Sequence, residues 1–530
     1  MNFIDQNILP LITFSPLAGA VVILLVGLFK PSDRAIKWLA FVLSLIPLAL
    51  AIYLWAIYPS SPADADGFKF GVNVPWFPQI NSRFILGVDG ISLSMILLTG
   101  ILAPLAILIS FSIKDKVRQY MALFLFLETG LLGVFVSLDM IIFFIFWEIG
   151  LVPMYFLIDQ WGSEKGEREL WGGRKVPART YAAFKFFIYT MAGSVGMLLA
   201  FQVIWMALGS EPGGPTYSIV EIAKRWPQFS GTLFGLPASA VKQIAFWAFT
   251  IAFAIKVPIW PFHTWLPDAH TEAPTAGSMM LAGVLLKLGA FGFLRIVLPF
   301  FPQEAAAFAP VLAILALLGI ILAAFSAFGQ DDFKRLVALS SVNHMGFVVL
   351  GIAVAAVALG NPALKETAVI ATNGAVLQMW AHGLSSAAMF ALVGVVYERA
   401  HTRNLNELGG LWAVMPIYGG VLVFSAMANL GLPGLAGFPA EFAVVRGAWP
   451  VFTLITALSM IGLLFTGAYI LKAIAKVLHG PESEVAHHVT EMNWTERLAL
   501  APLLVLMLAT GLFPAWVLNV INQAVTRLIG

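Results

Sequence analysis

A chain of 530 residues that is 60% hydrophobic and only 11% charged, with a mean hydropathy of +0.89, is typical of a protein whose solvent is the lipid bilayer. The net charge of +2, without a basic run longer than two residues, gives no indication of nucleic-acid binding. The sequence has no cysteine, which excludes a Cys-ligated iron–sulfur cluster, a disulfide and a thiolate zinc site in this chain.

Fourteen apolar runs of about 20 residues, the length of a membrane-spanning helix, follow one another along the chain. They predict an all-α polytopic membrane protein, a single transmembrane domain over residues 1–530. The first run meets a basic residue, Lys30, only at its far end, the reverse of a signal peptide, so we interpret it as a spanning helix. The predicted spans are 9–29, 36–56, 87–111, 119–137, 140–158, 180–207, 241–257, 274–299, 307–328, 333–354, 368–396, 412–432, 453–478 and 497–521.

Spans 7 and 12 run into segments that are rich in proline and glycine. Span 7 continues into Lys256-Val-Pro-Ile-Trp-Pro-Phe-His, and span 12 into a Pro/Gly-rich stretch from Gly431 to Glu441. Non-helical backbone survives at membrane depth only where protein or a watery cavity surrounds it. We therefore predict broken helices at both places, and an ordinary kinked helix is the alternative.

The two predicted breaks are five spans apart. Because five is an odd number, a repeat of that length would be inverted relative to its partner. We predict two inverted five-helix repeats, approximately residues 119–299 and 307–478, with flanking helices over 9–111 and 497–521. The similarity between the two halves is faint, so this prediction rests on the offset between the breaks.

Basic residues are distributed unevenly between the two sets of loops. The loops that follow odd-numbered spans carry seventeen Lys and Arg residues. The loops that follow even-numbered spans carry six, which are Lys69, Arg83, Lys224, Arg225, Lys242 and Lys365. By the positive-inside rule the first set of loops is cytoplasmic, and both chain ends face the other side.

A row of ionisable side chains lies within these spans or at their breaks. Its members are Glu128, Glu148, Lys185, Lys256, Lys287, His344, His382 and Glu441. A charge at the centre of a spanning helix costs about 2.5 to 3.5 kcal/mol on the insertion scale, so stability does not explain the row. For a single member, a snorkelling lysine or a core histidine bonded to a carbonyl is the plain alternative.

The row has the composition of a proton path. Burial disfavours the charged form of a carboxylate or an ammonium, and an opposite charge nearby favours it, so a movable partner sets the protonation state. Glu148 is the predicted modulator of Lys256, which stands at the first break, and Glu441 holds the matching place at the second. Histidines are suited to pass protons between such groups, because an imidazole gains and loses a proton near neutral pH.

Other chemistries lack their motifs. The sequence contains neither G-x-x-x-x-G-K-[ST] nor H-E-x-x-H. His344 and His382 stand singly on different spans, which does not fit paired haem ligands. His263 and His270 fall in the segment between spans 7 and 8.

Five stretches carry a resemblance to a known family: FWEIGLVPM at 146–154, AIKVPIWPFHTWLPDAHTEAPTAGS at 254–278, AGVLLKLGA at 282–290, SSVNHMG at 340–346 and AHGLS at 381–385. With them, the chain resembles the antiporter-like, proton-pumping membrane subunits of complex I over most of its length. Among these it is similar to subunit 4, called chain M in bacteria and NdhD in cyanobacteria and chloroplasts. The resemblance implies fourteen core helices and proton translocation driven by quinone reduction elsewhere in the complex.

The resemblance also implies roles for individual residues. Glu148 and Lys256 match the family's pair on helices 5 and 7, Lys287 matches its central lysine, and His344 and His382 match its relay histidines.

Glu441 matches the distal position on broken helix 12, where related subunits usually carry lysine. Glu128 and Lys185 are added to the same relay.

The resemblance implies no cofactor in this chain, because NAD(P)H or ferredoxin, iron–sulfur clusters and plastoquinone would be bound by other subunits. The implied partners are the other membrane-arm subunits, antiporter-like and small, with the lipid bilayer and, indirectly, the quinone pool. The stretch RTYAAFKFFIYT at 179–190 resembles cyanobacterial and plastid members. That detail implies a thylakoid location, with both chain ends on the lumenal side.

Three functions therefore compete. The first is a proton-translocating subunit of a type I NAD(P)H- or ferredoxin-plastoquinone oxidoreductase. The second is a subunit of an Mrp-type monovalent cation/proton antiporter, which shares the fold. The third is a membrane-arm scaffold that moves no protons.

Overall fold

The computed structural model describes residues 3–170 and 172–530, and it is a bundle of long apolar helices. Thirteen helical segments within those residues are long and apolar enough to cross a membrane, and a shorter apolar helix, Pro416–Leu430, corresponds to predicted span 12. The all-α polytopic architecture expected from the sequence is therefore confirmed.

The helices before the first predicted break are α1 (Phe3–Val26), α2 (Asp33–Ile57), α3 (Gly90–Ile109), α4 (Val117–Val136), α5 (Met140–Ile149), α6 (Val152–Trp161), α7 (Ala178–Gly209), α8 (Ile219–Arg225) and α9 (Ala238–Lys256). Those between the breaks are α10 (Trp265–Glu272), α11 (Thr275–Met280), α12 (Leu286–Gly292), α13 (Leu298–Phe300), α14 (Pro302–Phe328), α15 (Phe333–Gly360), α16 (Lys365–Ala400), α17 (Leu411–Val414) and α18 (Pro416–Leu430). The remainder are α19 (Gly437–Ala448), α20 (Thr453–Leu478), α21 (Trp494–Leu512) and α22 (Ala515–Ile529).

Short antiparallel hairpins occupy three of the loops. They pair β1 (Lys69–Phe77) with β2 (Ser82–Val88), β3 (Glu167–Glu169) with β4 (Lys175–Pro177), and β5 (Thr232–Leu233) with β6 (Leu236–Pro237). We call the face of the loops after odd-numbered spans the basic face and the other the opposite face. The β1–β2 and β5–β6 hairpins belong to the opposite face.

Both predicted helix breaks are present. The α9 helix ends at Lys256, and the Trp265 indole returns from α10 to donate to the Ile255 carbonyl at 2.9 Å, which satisfies an acceptor freed by the break. The α18 helix ends at Leu430 and is capped by Gly431, whose φ of +84° is the left-handed conformation that favours glycine, and α19 begins at Gly437.

Two further interruptions were not predicted. Span 5 divides into α5 and α6 around Gly150 and Leu151, directly after Glu148. Span 14 divides into α21 and α22 at Phe513 and Pro514.

Three residues of the polar row, Lys287, His344 and His382, lie on deeply buried helices. The segment Thr275–Phe300, α15 and α16 pack at the centre, and the most apolar window of α16 is 100% buried. By contrast, α1, α2, α20 and α21 present exposed apolar side chains such as Leu25, Val42, Leu464 and Val505, as expected of helices that face lipid. The centre of the row is therefore held inside protein.

The Thr275–Phe300 segment is not a uniform α-helix. Its backbone adopts π-helical turns at Leu281–Leu285 and Phe293–Val297, on either side of α12. Such turns are frequent at functional sites because they re-aim the side chains around them. One precedes Lys287 by two residues, and the other contains Arg295.

Candidate functional site

Lys287 and His382 form the centre of the buried row. The Lys287 ammonium donates to the Ala282 carbonyl at 2.5 Å and contacts His382 Nδ1 at 2.8 Å. The two side chains come from α12 and α16, and both residues are 1% exposed or less. Because an ammonium offers only donors, His382 Nδ1 accepts when Lys287 is charged. A proton that crosses this contact moves from the lysine to the imidazole.

His344 and Glu441 form the end of the row at the second helix break. His344 Nδ1 lies 2.7 Å from Glu441 Oε1, and its Nε2 lies 2.8 Å from Asn429 Oδ1. The same carboxylate oxygen accepts from the Gln378 amide at 2.8 Å. With an acceptor at each ring nitrogen, this geometry suits an imidazolium ion paired with a carboxylate.

The α16 helix joins these two clusters. Gln378 and His382 are four residues apart, so they lie on one face of the helix, one turn from each other. The His382 and His344 rings are 5.6 Å apart between centroids, and His382 Nε2 has no hydrogen-bond partner among the described residues. A ring rotation or one bridging water spans such a gap. The two clusters thus join into one row of side chains that are neighbours in space: Lys287, His382, His344 and Glu441.

The predicted pair Glu148 and Lys256 is close but not joined. Lys256 is 1% exposed, and its ammonium has no hydrogen-bond partner within residues 3–170 and 172–530. It lies 5.1 Å from the centre of the Trp147 ring, whose indole donates to the Ser194 hydroxyl at 3.0 Å. Glu148, half-buried at the end of α5, interacts electrostatically with Lys256. Trp147, which was not predicted, contacts the Lys256 ammonium directly and precedes Glu148 in the chain.

The helix ends support this placement electrostatically. A helix carries partial negative charge at its C-terminus and partial positive charge at its N-terminus. Lys256 is the last residue of α9, and Glu441 is the fifth residue of α19, so each charge lies near the helix end that stabilises it. Glu148 lies at the C-terminal end of α5, where a carboxylate gains no such help.

Lys185 and Glu128 are in different settings from the rest of the row. Lys185 is partly exposed and forms an ion pair with Asp268 at 2.7 Å, and Asp268 also binds Arg335 at 2.9 Å. Glu128 is fully buried in α4, and neither of its carboxylate oxygens has a hydrogen-bond partner among the residues described. The structure brings neither into hydrogen-bonding contact with Lys287, His382, His344 or Glu441.

His270 and Lys334 were missed as members of the row. His270 is fully buried in α10, stacks on Phe390 at 4.4 Å, and interacts electrostatically with both Lys334 and Lys287. The Lys334 ammonium donates to the Ala273 carbonyl. In the sequence, His270 falls in the segment between spans 7 and 8, where a connecting loop is expected, but α10 folds back into the core and carries the ring with it.

A cavity of about 370 Å³ reaches Lys334 from the basic face. Arg403, which also lines it, donates to the Thr271 carbonyl and contacts Glu272 and Asp332 at 3.7 and 3.2 Å. The cavity has room for several water molecules. It connects the basic face with Lys334, which interacts electrostatically with His270.

The remainder of the described chain offers no metal centre. Within residues 3–170 and 172–530, no group of three or more His, Asp or Glu side chains is placed to hold a metal ion. The ionisable groups gathered here are suited to carrying protons: three lysines, three histidines and two carboxylates, which are Lys256, Lys287, Lys334, His270, His344, His382, Glu148 and Glu441.

Comparison with known proteins gives the same picture of the whole chain. Residues 137–466 match the transmembrane family described as NADH:quinone oxidoreductase/Mrp antiporter. NADH-quinone oxidoreductase subunit M of Rhodobacter capsulatus is 38% identical over 99% of this chain and 96% of its own length. Subunit M of Escherichia coli K12 is 38% identical over 92% of this chain and 91% of its own.

Solved structures share the fold. A chain of respiratory complex I from Thermus thermophilus superposes with a TM-score of 0.81 at 26% identity, covering 98% of this chain and all of that one. A chain of the Mrp complex from Dietzia superposes with a TM-score of 0.79 at 18% identity, covering 100% of this chain and 98% of its own, a likeness of fold alone.

The fold and the family match together define an antiporter-like membrane protein of the complex I and Mrp class. Within that class, the chain belongs to the family of NADH-quinone oxidoreductase subunit M. The Rhodobacter and Escherichia relatives are bacterial subunits M, not cyanobacterial or chloroplast chains, so the resemblance to a thylakoid protein stays a prediction.

Proposed function

We propose that this chain carries protons across a membrane as the antiporter-like subunit M of a respiratory NADH-quinone oxidoreductase, driven by quinone reduction in other subunits. Its partners would be the other antiporter-like and small subunits of the membrane arm. NADH, iron–sulfur clusters and quinone would be bound by those partners. The basic face would be cytoplasmic, as the positive-inside rule requires.

The observation that carries the proposal is the row of neighbouring side chains that leads from Lys287 through His382 and His344 to Glu441. Two of its three steps are contacts of 2.8 and 2.7 Å, and the third is the 5.6 Å between the histidine rings. Four buried ionisable groups placed next to one another are costly for a membrane protein, and proton relays are a main reason for such an arrangement.

Protons would reach this row of side chains from the basic face. The cavity at Lys334 would admit water to the side chain of Lys334, and His270 interacts electrostatically with both Lys334 and Lys287. Lys287 would accept a proton from that side and pass it to His382 Nδ1. The proton would then move through His344 to Glu441.

Glu148 and Lys256 would control the loading of the row. In this conformation the Lys256 ammonium is held by the Trp147 ring and not by a carboxylate. Moving Glu148 toward Lys256 would favour the charged lysine, and moving it away would favour release of the proton. Lys185 and Glu128 would act at the margins of this half, Lys185 through its ion pair with Asp268.

The electron donor, the quinone type and the two alternative functions, an antiporter and a scaffold, are each tested by a different measurement. The electron donor and the quinone type, including a ferredoxin–plastoquinone form in thylakoids, would follow from the partner subunits that co-purify with the chain. An Mrp-type antiporter would exchange sodium for protons without a quinone-reducing partner. A scaffold would lose assembly, but not proton transport per electron, when the row is altered.

The test is redox-driven proton pumping by the assembled complex in proteoliposomes, with variants Lys287→Met and His382→Gln. Methionine keeps the length of the lysine without its charge, and glutamine keeps a hydrogen bond without carrying a proton. We expect fewer protons pumped per electron in both, with the complex assembled. Lys175→Ala, an exposed lysine in β4, is the control and should pump normally. Unchanged stoichiometry in both row variants would reject the proposal.

A further inference from the structure

A second cavity, of about 260 Å³, opens on the opposite face and belongs to none of the groups described above. We call it the Arg295 cavity. It lies between the loop after α2, the N-terminus of α3, α8, the end of the Thr275–Phe300 segment and α22. Its titratable lining residues are Tyr58, Asp66, Asp89, Lys224, Arg295 and Arg527.

Arg295 holds the inner wall of this cavity. Its guanidinium contacts Asp89 at 2.5 Å and the Ser92 hydroxyl at 3.2 Å, and its side chain is only 12% exposed. The Arg295 Nε is buried without a hydrogen-bond partner among the described residues. The guanidinium lies over the Phe291 ring at 5.2 Å and over Phe68 at 4.8 Å. An ion pair and two aromatic rings thus close the inner end.

Phe291 lies in the cavity wall, one helical turn from Lys287. Lys287, Phe291 and Arg295 follow at four-residue spacing, so they lie along one side of the same helical segment. Eight residues correspond to about 12 Å along the axis, with Phe291 midway in the chain. Phe291 also packs edge-on against Phe135 at 5.2 Å. The shortest way along this helix from the cavity to the central lysine therefore passes Phe291.

The backbone departs from a regular α-helix at this point. Arg295 lies in the π-helical turn Phe293–Val297, a kind of turn that is frequent at functional sites. Conversion of this turn to regular α-helix would rotate Arg295 relative to Phe291. The positive guanidinium also opposes the inward return of protons, as arginines do in other pores.

We propose that the Arg295 cavity is a second proton outlet, which branches at Lys287 from the route to Glu441, leads to the opposite face, and is closed in this conformation by Phe291 and by the Asp89–Arg295 ion pair. The proposal rests on the proposed relay function of Lys287. When the closure opens, the Lys287 ammonium gives its proton to water in the cavity instead of to His382 and becomes a neutral amine, which is reloaded from the His270 side. Arg295 keeps its own proton throughout.

The first experiment measures passive proton conductance of proteoliposomes that contain the assembled complex, without turnover. In Phe291→Ala we expect the proton conductance to rise about tenfold, as a barrier lower by about 1.4 kcal/mol would give. In Phe291→Leu we expect a smaller rise. Phe300→Ala, a buried phenylalanine outside the cavity, is the control and should not leak. The double variant Phe291→Ala/Lys287→Met should lose the leak, because the lysine is the source of the path.

The second experiment uses the absence of cysteine from this chain. Leu294→Cys, which lines the cavity, should react with a membrane-impermeant maleimide added on the opposite face only, and Leu298→Cys, which is buried, should not react. Unlabelled Leu294→Cys, a leak equal to wild type in both Phe291 variants, or a leak that survives Lys287→Met would overturn the outlet. Normal pumping by Lys287→Met alone would instead overturn the relay, so the two failures are distinguishable.

Discussion

Gly374→Ala is the sharpest test of how the fold holds the carboxylate end of the row. Gly374 on α16 faces the backbone of α19, where a Cβ would lie 2.5 Å from the Val444 nitrogen and 2.9 Å from the Ala443 carbonyl carbon. Backbone atoms cannot move aside as side chains do. The helix α19 must therefore retreat by about 0.9 Å before this contact reaches an ordinary 3.4 Å.

That shift of α19 is large compared with the change in length that the hydrogen bonds of Glu441 can tolerate. Glu441 lies one turn before Val444, and its Oε1 is 2.7 Å from His344 Nδ1 and 2.8 Å from the Gln378 amide. A shift of this size along the bond would lengthen the first to about 3.6 Å, beyond hydrogen-bonding distance. Overpacking costs about 1–3 kcal/mol, which exceeds the gain of up to about 1 kcal/mol from alanine in a helix.

The assay pairs thermal unfolding with redox-driven proton pumping. We expect Gly374→Ala to lower the unfolding temperature and to reduce protons pumped per electron, with assembly retained. Gly319→Ala on α14 is the matched control, because no heavy atom lies within 4 Å of its Cβ, and it should be neutral or slightly stabilising. If Gly374→Ala behaves as Gly319→Ala does in both measurements, the close packing of α16 on α19 does not position Glu441.

Three further predictions concern other parts of the molecule. Asp139→Ala should lower the stability by about 1–2 kcal/mol in thermal unfolding, because Asp139 caps α5 through the Ile141 and Ile142 amides; Asp139→Asn, which keeps the cap, should restore most of it. Trp147→Leu should slow pumping more than Trp265→Leu does, since of these two tryptophans it is Trp147 that lies under the Lys256 ammonium, a contact of about 2 kcal/mol when desolvated; equal effects would contradict this role. Asp268→Asn should destabilise the basic face by about 1 kcal/mol, an effect that weakens in high salt, because it leaves Lys185 and Arg335 without their shared carboxylate.

The sequence predicted a helix break only where several signals coincided. The break after Lys256 follows from Pro258 and Pro261 within four residues, and the second follows from a cluster of glycines and prolines. A single proline was not diagnostic, because Pro104 and Pro310 lie inside continuous helices, whereas Pro514 stands between α21 and α22. Only one glycine and one proline, Gly150 and Pro153, indicate the break after Glu148 in the sequence.

The members of the row were predictable, but most of their contacts were not. A buried charge is visible in a sequence because it interrupts an apolar run, as Lys287 and Glu148 do. Partners such as Gln378 and Asn429 are uncharged and disappear among ordinary polar residues. His270 was hidden because a short helix after two prolines reads as a loop. The inverted repeats over 119–299 and 307–478 stay a prediction.

The two ends of the row are held by interactions of different kinds, and this difference bears on where transport is controlled. Glu441 is fixed by two charge-assisted or amide hydrogen bonds, which are directional and resist displacement. Lys256 is held by an aromatic face, which tolerates several positions of the ammonium. A small movement at the break after α9 therefore changes the partner of Lys256 more easily than the partner of Glu441. We expect control of proton loading to reside at Trp147, Glu148 and Lys256, with the remainder of the row conducting in response.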